Sequence, residues 1–247
     1  MRESPALRIA ALRKCYGKFQ ALDGIALEIA PGEAFGLVGA NGAGKTTLIK
    51  CMLDLVGFDS GTIEIFGQTA QRPSSRQHLS YLPERFNPPH YLRGREFLAL
   101  LFELAGARYD ARVVSNILEL LELDGGVLEQ HVRTLSKGTT QKLGLAGALA
   151  LPRSLYVLDE PMSGLDPAAR VAVKSVLARL AGEGRTLFFT SHVLADVDEL
   201  CSSMAVLDRG RVRFRGKPEA LCEQYGDRNL ERAFMSCIRD EAIVADR

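Results

Sequence analysis

Residues 39–47 read Gly-Ala-Asn-Gly-Ala-Gly-Lys-Thr-Thr, which fits the spacing G-x-x-x-x-G-K-[ST]. Glycines allow backbone N–H groups to curl around an anion with no Cβ in the way. The loop stands between an apolar run, Phe35–Val38, and a helix-like stretch, Lys45–Leu53, so a helix N-terminus faces whatever it holds. That chemistry is phosphate binding. Gly39, Asn41, Gly42, Ala43, Gly44 and Thr47 would wrap the anion. Lys45 would reach the β and γ phosphates, and the Thr46 hydroxyl would take Mg²⁺. A plain Gly-rich turn leaves the Lys-Thr pair unexplained. A second chemical element is Asp159-Glu160-Pro161, directly after the apolar run Leu155–Leu158. On their own, two acids at a strand end are ordinary solvated charges. Beside a phosphate loop, Asp159 suits Mg²⁺ and Glu160 suits a base that polarises water for attack on phosphorus.

The elements that must position these residues are read from apolar periodicity and turn signals. Leu7–Leu12, Ile25–Ile29, Ala34–Val38, Gly61–Phe66 and His78–Leu82 read as strands. Arg95–Ala105, Ala111–Leu123 and Thr139–Leu151 read as helices, the last stopped by Pro152. Leu155–Leu158 and Thr186–Thr190 are strands, and Ala168–Leu180 and Leu194–Leu200 helices. Met204–Leu207 with Arg211–Arg215 forms a hairpin about Asp208–Gly210. Strands alternating with helices imply a parallel α/β sheet with crossover connections, into which the helical middle is inserted. Arg209, Arg211, Arg213 and Arg215 share one parity, so a regular strand would show them on one face. That face is either a basic stripe near anionic lipid or a solvated hairpin edge, and the second is the simpler reading.

The chain has 247 residues, 47% of them hydrophobic, with 31 Lys and Arg against 30 Asp and Glu, a formal net charge of +1. Disorder is excluded over most of this length, and near-neutrality argues against capture of nucleic acid by bulk charge. Five scattered cysteines, Cys15, Cys51, Cys201, Cys222 and Cys237, offer no CxxC pair, which fits a reducing compartment. MRESPALRIAALRK lacks the apolar segment of a secretory signal. Phe97–Ala107, broken by Glu103, and Leu143–Leu151 are the most apolar runs, and both are too short to span a bilayer.

Leu135-Ser136-Lys137-Gly138-Thr139-Thr140-Gln141-Lys142, just before the strand that ends in Asp159, resembles the signature motif of ATP-binding cassette (ABC) ATPases. The other motifs of that family follow in order over about residues 7–225. Tyr16 looks like the aromatic that stacks on adenine, although taken alone it is equally a surface or core aromatic. Ser163-Gly164-Leu165-Asp166 looks like the D-loop, and Thr190-Ser191-His192 like the switch histidine. The resemblance implies an α/β P-loop NTPase cassette: a mainly parallel sheet, an N-terminal antiparallel β-subdomain, and a helical subdomain inserted at about 86–152. Residues 1–226 would form the ATPase domain and 227–247 a charged tail that reads as a loosely attached helix. The cofactors implied are ATP and Mg²⁺.

In this family Ser136 and Gly138 would face the nucleotide of a second cassette, with Asp166 nearby, so a complete site needs a homodimer or heterodimer. Lys45, Glu160 and His192 would be catalytic, and Thr46, Asp159 and Glu84 would hold Mg²⁺. Glu84, in Tyr81-Leu82-Pro83-Glu84, stands where the family usually has Gln, and Lys137 and Thr139 stand where Gly and Gln are common. The segment Arg85–Arg95 would receive an integral membrane permease subunit. The expected function is ATP hydrolysis that powers transport, with export favoured by the Leu-Pro-Glu loop and the Leu-Ser-Lys-Gly signature. The expected location is peripheral, on the cytoplasmic face of the membrane, with no nucleic-acid partner. An importer cassette, or a soluble ABC ATPase acting on ribosomes or DNA, is the alternative.

Overall fold

Five buried residues in a row, Ala34–Val38, cannot belong to a strand with one wet face. They form β3 at the middle of a six-stranded sheet covered on both sides, which a parallel sheet requires. In the computed structural model, which describes residues 4–240, the other strands of this sheet are β6 (Leu79–Leu82), β7 (Leu155–Leu158), β8 (Thr186–Ser191), β9 (Ser203–Asp208) and β10 (Arg211–Gly216). Their order is β10-β9-β3-β8-β7-β6, all pairs parallel except the hairpin β9–β10. A second, antiparallel sheet has the order β2-β1-β4-β5, with β1 Leu7–Tyr16, β2 Phe19–Ile29, β4 Ser60–Ile65 and β5 Gln68–Thr69.

Alternating side chains of the parallel strands feed two cores. Phe35, Leu37, Leu155, Val157 and Phe188 point toward the antiparallel sheet and α1 (Lys45–Met52). The rings of Phe35 and Phe188 stack there at 5.9 Å. Val38, Tyr156, Leu158, Leu187 and Phe189 point the other way, into a core built with α2 (Gly94–Leu104), α3 (Ala111–Leu120), α4 (Lys137–Ala150), α5 (Pro167–Gly182) and α6 (Leu194–Leu200). α4 is capped by Ser136, whose hydroxyl accepts from Thr139 N, and α5 by Asp166, which accepts from Ala169 N before Pro167 sets the first turn. Gly144 and Gly147 leave α4 room for Phe86 and Leu101: a Cβ at either would lie 2.6 and 2.5 Å from those side chains.

Three expectations need correction. β1 and β2 run several residues beyond the expected strands, because Gly17, at φ 59°, turns the chain at Tyr16–Phe19 while bulges keep the pair in contact. The segment after Gly226 is not loose up to Arg239. Helix α7 (Pro218–Tyr225) leads into α8 (Leu230–Arg239), whose Leu230, Ala233 and Cys237 are buried in the main core; residues 241–247 lie outside the described residues. The arginine parity is also broken. A register shift between Val212 and Phe214 turns Arg213 inward onto Asp208, while Arg211 pairs with Asp23 and Arg215 reaches the Glu28 carbonyl. No basic stripe survives on β10.

Packing of α6 on β3 depends on the missing side chain of Gly36, where a Cβ would lie 2.7 Å from Val197 Cγ1 and 2.9 Å from Cys201 Sγ. Gly36→Ala should lower stability by about 1–3 kcal/mol, the usual effect of overpacking. Urea unfolding of variant and wild type measures it.

Candidate functional site

The carboxyl ends of β3, β6, β7 and β8 converge, the place where open α/β sheets take ligands. From β3 the chain turns through the glycine loop into α1, with Gly42 and Gly44 at φ 82° and 113°, a region closed to most other residues. Gly39 is packed so tightly that a Cβ would lie 2.3 Å from the Leu207 carbonyl oxygen. The loop borders a cleft of about 600 Å³ lined by Ala40–Thr47, Glu84, Arg85, Glu160, Ser163 and His192, together with Phe19 and Ala21.

Lys45 is only 7% exposed. A buried ammonium must be paired, and its Nζ donates to the Gly39 carbonyl at 2.7 Å and lies 3.7 Å from Glu160 Oε1. The other Glu160 oxygen, Oε2, is 2.7 Å from His192 Nδ1 and accepts from His192 N at 3.4 Å. Glu160 thus sits between the phosphate-loop lysine and the histidine after β8. Its backbone is left-handed at φ 48°, an unusual state for a side chain of this size. The Thr190 hydroxyl helps hold that turn by accepting from Glu160 N at 2.9 Å.

The same hydroxyl donates to Asp159 Oδ1 at 2.6 Å, and Thr46 Oγ1 donates to Asp159 Oδ2 at 3.0 Å. Burial pushes the Asp159 carboxyl above its usual range. The two hydroxyls pull it back, while the charges of Glu84 and Glu160 add to the rise. Thr46 and Asp159 present hard oxygen donors side by side, the donor type a divalent magnesium ion takes, with Glu84 on the cleft wall. Among the described residues no three His, Cys, Asp or Glu side chains gather to hold a metal by themselves. A cation here would therefore be shared with the phosphates.

The cleft unites the glycine loop, Lys45, Thr46, Thr47, Glu84, Glu160 and His192, and Asp159 lies directly behind Thr46. Tyr16 is not on its wall; Lys14 Nζ covers one face of that ring at 5.0 Å, and Phe19 is the aromatic that borders the cleft. Ser136, Gly138 and Asp166 line a separate depression of about 430 Å³ with Thr139 and Lys142. The two surfaces have no lining residue in common. The places of Thr190, Phe19 and Arg85 at this site escape the sequence reading, which assigned Arg85 to the segment facing a membrane partner. Thr190 had a signal, since it closes a buried strand just before His192. The tie from Gln141 Nε2 to the Pro161 carbonyl, 3.3 Å, also had to be seen in three dimensions.

Comparison with known proteins agrees with this geometry. The ABC transporter family model matches residues 22–163. An uncharacterized ABC transporter ATP-binding protein of Nostoc sp. is 37% identical over 211 residues, covering 83% of this chain and 62% of the relative. This chain thus spans about three-fifths of that relative's length. A protein named Nod factor export ATP-binding protein I, from Cupriavidus metallidurans, is 34% identical over 222 residues, covering 88% of this chain and 73% of the relative. A solved ATP-binding subunit of an ABC transporter superposes with a TM-score of 0.85 at 28% identity, covering 94% of this chain and 99% of that one.

Because the Asp159 carboxyl titrates above its unfolded value, its ionised form costs stability above that range, and the cost vanishes as pH falls through it. Asp159→Asn should therefore melt at a higher temperature than wild type at neutral pH without nucleotide, and the gap should narrow on acidification. Thermal unfolding at several pH values checks both.

Proposed function

The chain belongs to the ABC transporter family, and from that premise we propose that it is the ATP-hydrolysing cassette of a transporter that exports its substrate through separate membrane subunits. The observation that carries this reading is the cleft in which Lys45, Glu160 and His192 meet beside a phosphate loop. Export is supported by the relative named for export and by the Leu82-Pro83-Glu84 loop. No helix among the described residues is long and apolar enough to cross a membrane, so passage of substrate is assigned to a permease partner. The cassette would sit against that partner at the cytoplasmic face. Tyr91, 76% exposed in the segment between Glu84 and α2, is the aromatic available there, whereas Phe86 of the same segment is spent inside, against the Phe97 ring. Near-neutral charge supports a membrane partner over nucleic acid.

The mechanism follows from the chain's own groups. Arriving phosphates offer Lys45 Nζ stronger acceptors than the Gly39 carbonyl. As Lys45 turns to them, Glu160 Oε1 is freed to accept a proton from water poised for attack on the terminal phosphorus. His192, holding Glu160 Oε2, orients the base and lies within the same cleft to steady the terminal phosphoryl group as its bond to the bridging oxygen breaks and the diphosphate leaves. Thr46, Asp159 and Glu84 would hold Mg²⁺, which supplies neutralisation of charge on the phosphate oxygens when bound. Ser136 and Gly138 line a depression that shares no residue with this chain's own cleft, which supports a head-to-tail dimer, identical or mixed, in which each signature meets the other chain's nucleotide.

Glu160→Gln should retain ATP, trap a dimer and cut hydrolysis by roughly 10²-fold or more. Lys45→Ala should lose nucleotide affinity. Hydrolysis per chain should rise with protein concentration, and a rate unchanged at monomeric dilution contradicts the shared site. Glu84→Gln should raise the Mg²⁺ concentration needed for half-maximal hydrolysis; an unchanged Mg²⁺ dependence removes Glu84 from the cation site.

A further inference from the structure

Lys45 and Arg85 are the Lys and Arg residues on the wall of the nucleotide cleft among the described residues. Lys45 is matched to Glu160. Glu84, the acid that faces the same cleft, forms no hydrogen bond or ion pair through its side chain with any described residue, and neither does Arg85. Beside Glu84 the cleft therefore carries one cation, Arg85, that the reading above does not use.

The backbone of Arg85 is fixed from both sides. Before it, the end of β6 is tied to the Walker-type acid: Asp159 N donates to the Leu82 carbonyl at 2.8 Å, and Pro83 stiffens the exit. After it, the Phe86 ring is seated on Gly144 of α4 and on Phe97 of α2, with 5.5 Å between ring centroids. An exposed, unpaired guanidinium is thus carried at a set position on the cleft wall beside Glu84. Phosphate oxygens suit that group well, since its planar fork can donate two parallel hydrogen bonds.

From this we infer that Arg85 is a phosphate-binding residue of the cleft, contacting the terminal phosphate of a bound nucleoside triphosphate and offsetting the charge of Glu84. The inference rests on the nucleotide reading proposed above and adds a residue to it. The terminal phosphate is the one concerned because β6 and β7 pair side by side up to Leu82 and Leu158, so Glu84 and Arg85 leave the sheet next to Glu160, the group proposed to act at the terminal phosphorus. The Glu–Arg pair makes physical sense of an acid beside phosphates. Glu84 gains a cation ligand's charge, and Arg85 removes the repulsion that charge would exert on the nucleotide.

The test is affinity for a non-hydrolysable ATP analogue and for ADP, both with Mg²⁺, at a dilution where the chain is monomeric. Arg85→Ala should weaken the triphosphate roughly three- to tenfold, the range for a charge-assisted contact at an exposed site. It should leave ADP within about twofold, and Arg85→Lys should recover part of the loss. In a Glu84→Gln background, Arg85→Ala should cost clearly less, because less charge needs offsetting. An unchanged ratio of triphosphate to diphosphate affinity overturns the assignment, as does an equal loss in both backgrounds. A wild-type chain that binds neither nucleotide removes the underlying reading as well. Binding that Lys45→Ala abolishes and Arg85→Ala leaves intact removes this inference alone.

Discussion

A lysine ammonium cannot be left alone inside a protein, and here it is placed where little water reaches it. Lys45 is held by a carbonyl of its own loop and by the carboxylate that ends β7. That contact joins the two halves of the chemistry, the anion-binding loop and the base. It also explains why the surrounding framework is so tightly specified. The glycine loop must pass under the Leu207 carbonyl with no side chain at Gly39, and Glu160 must accept a left-handed backbone to present its carboxylate. Both strains are borne by the buried parallel strands on either side, which have no freedom to relax them.

Much of this centre was legible in the amino-acid order because its motifs are contiguous. The glycine loop, Asp159-Glu160 and His192 each follow a strand whose burial is written as an unbroken apolar run. The parts that were not legible depend on contacts between distant segments. Thr190 reads as one more strand residue until its hydroxyl is seen between Asp159 and the Glu160 amide. The arginines near the hairpin follow a parity rule that a single bulge undoes. The tail is legible as a helix but its docking is not: Leu230, Ala233 and Cys237 are spaced for one face, yet three buried positions among charges are a weak signal without the groove they fill.

The separation of the signature from the nucleotide cleft is as informative as either surface. Ser136 and Gly138 sit at the start of α4, well capped and ready, yet their depression is walled by other residues than those around the phosphate loop. The two are nevertheless tied within one chain. Gln141, one turn into α4, donates to the Pro161 carbonyl in the turn that carries Glu160. The signature helix and the turn that carries Glu160 are thus joined by a direct contact inside the protein.

The cleft brings Glu84, Asp159 and Glu160 close to the buried Lys45, with a strained turn at its edge. Whatever binds there and not to the unfolded chain adds to the free energy of folding in proportion to the logarithm of its concentration. Under the proposed function, the triphosphate would for that reason also be one of the structural parts of the cassette. A cell short of triphosphate would then hold a cassette that is not merely idle but more easily opened and digested, so that supply of energy and survival of the engine would rise and fall together.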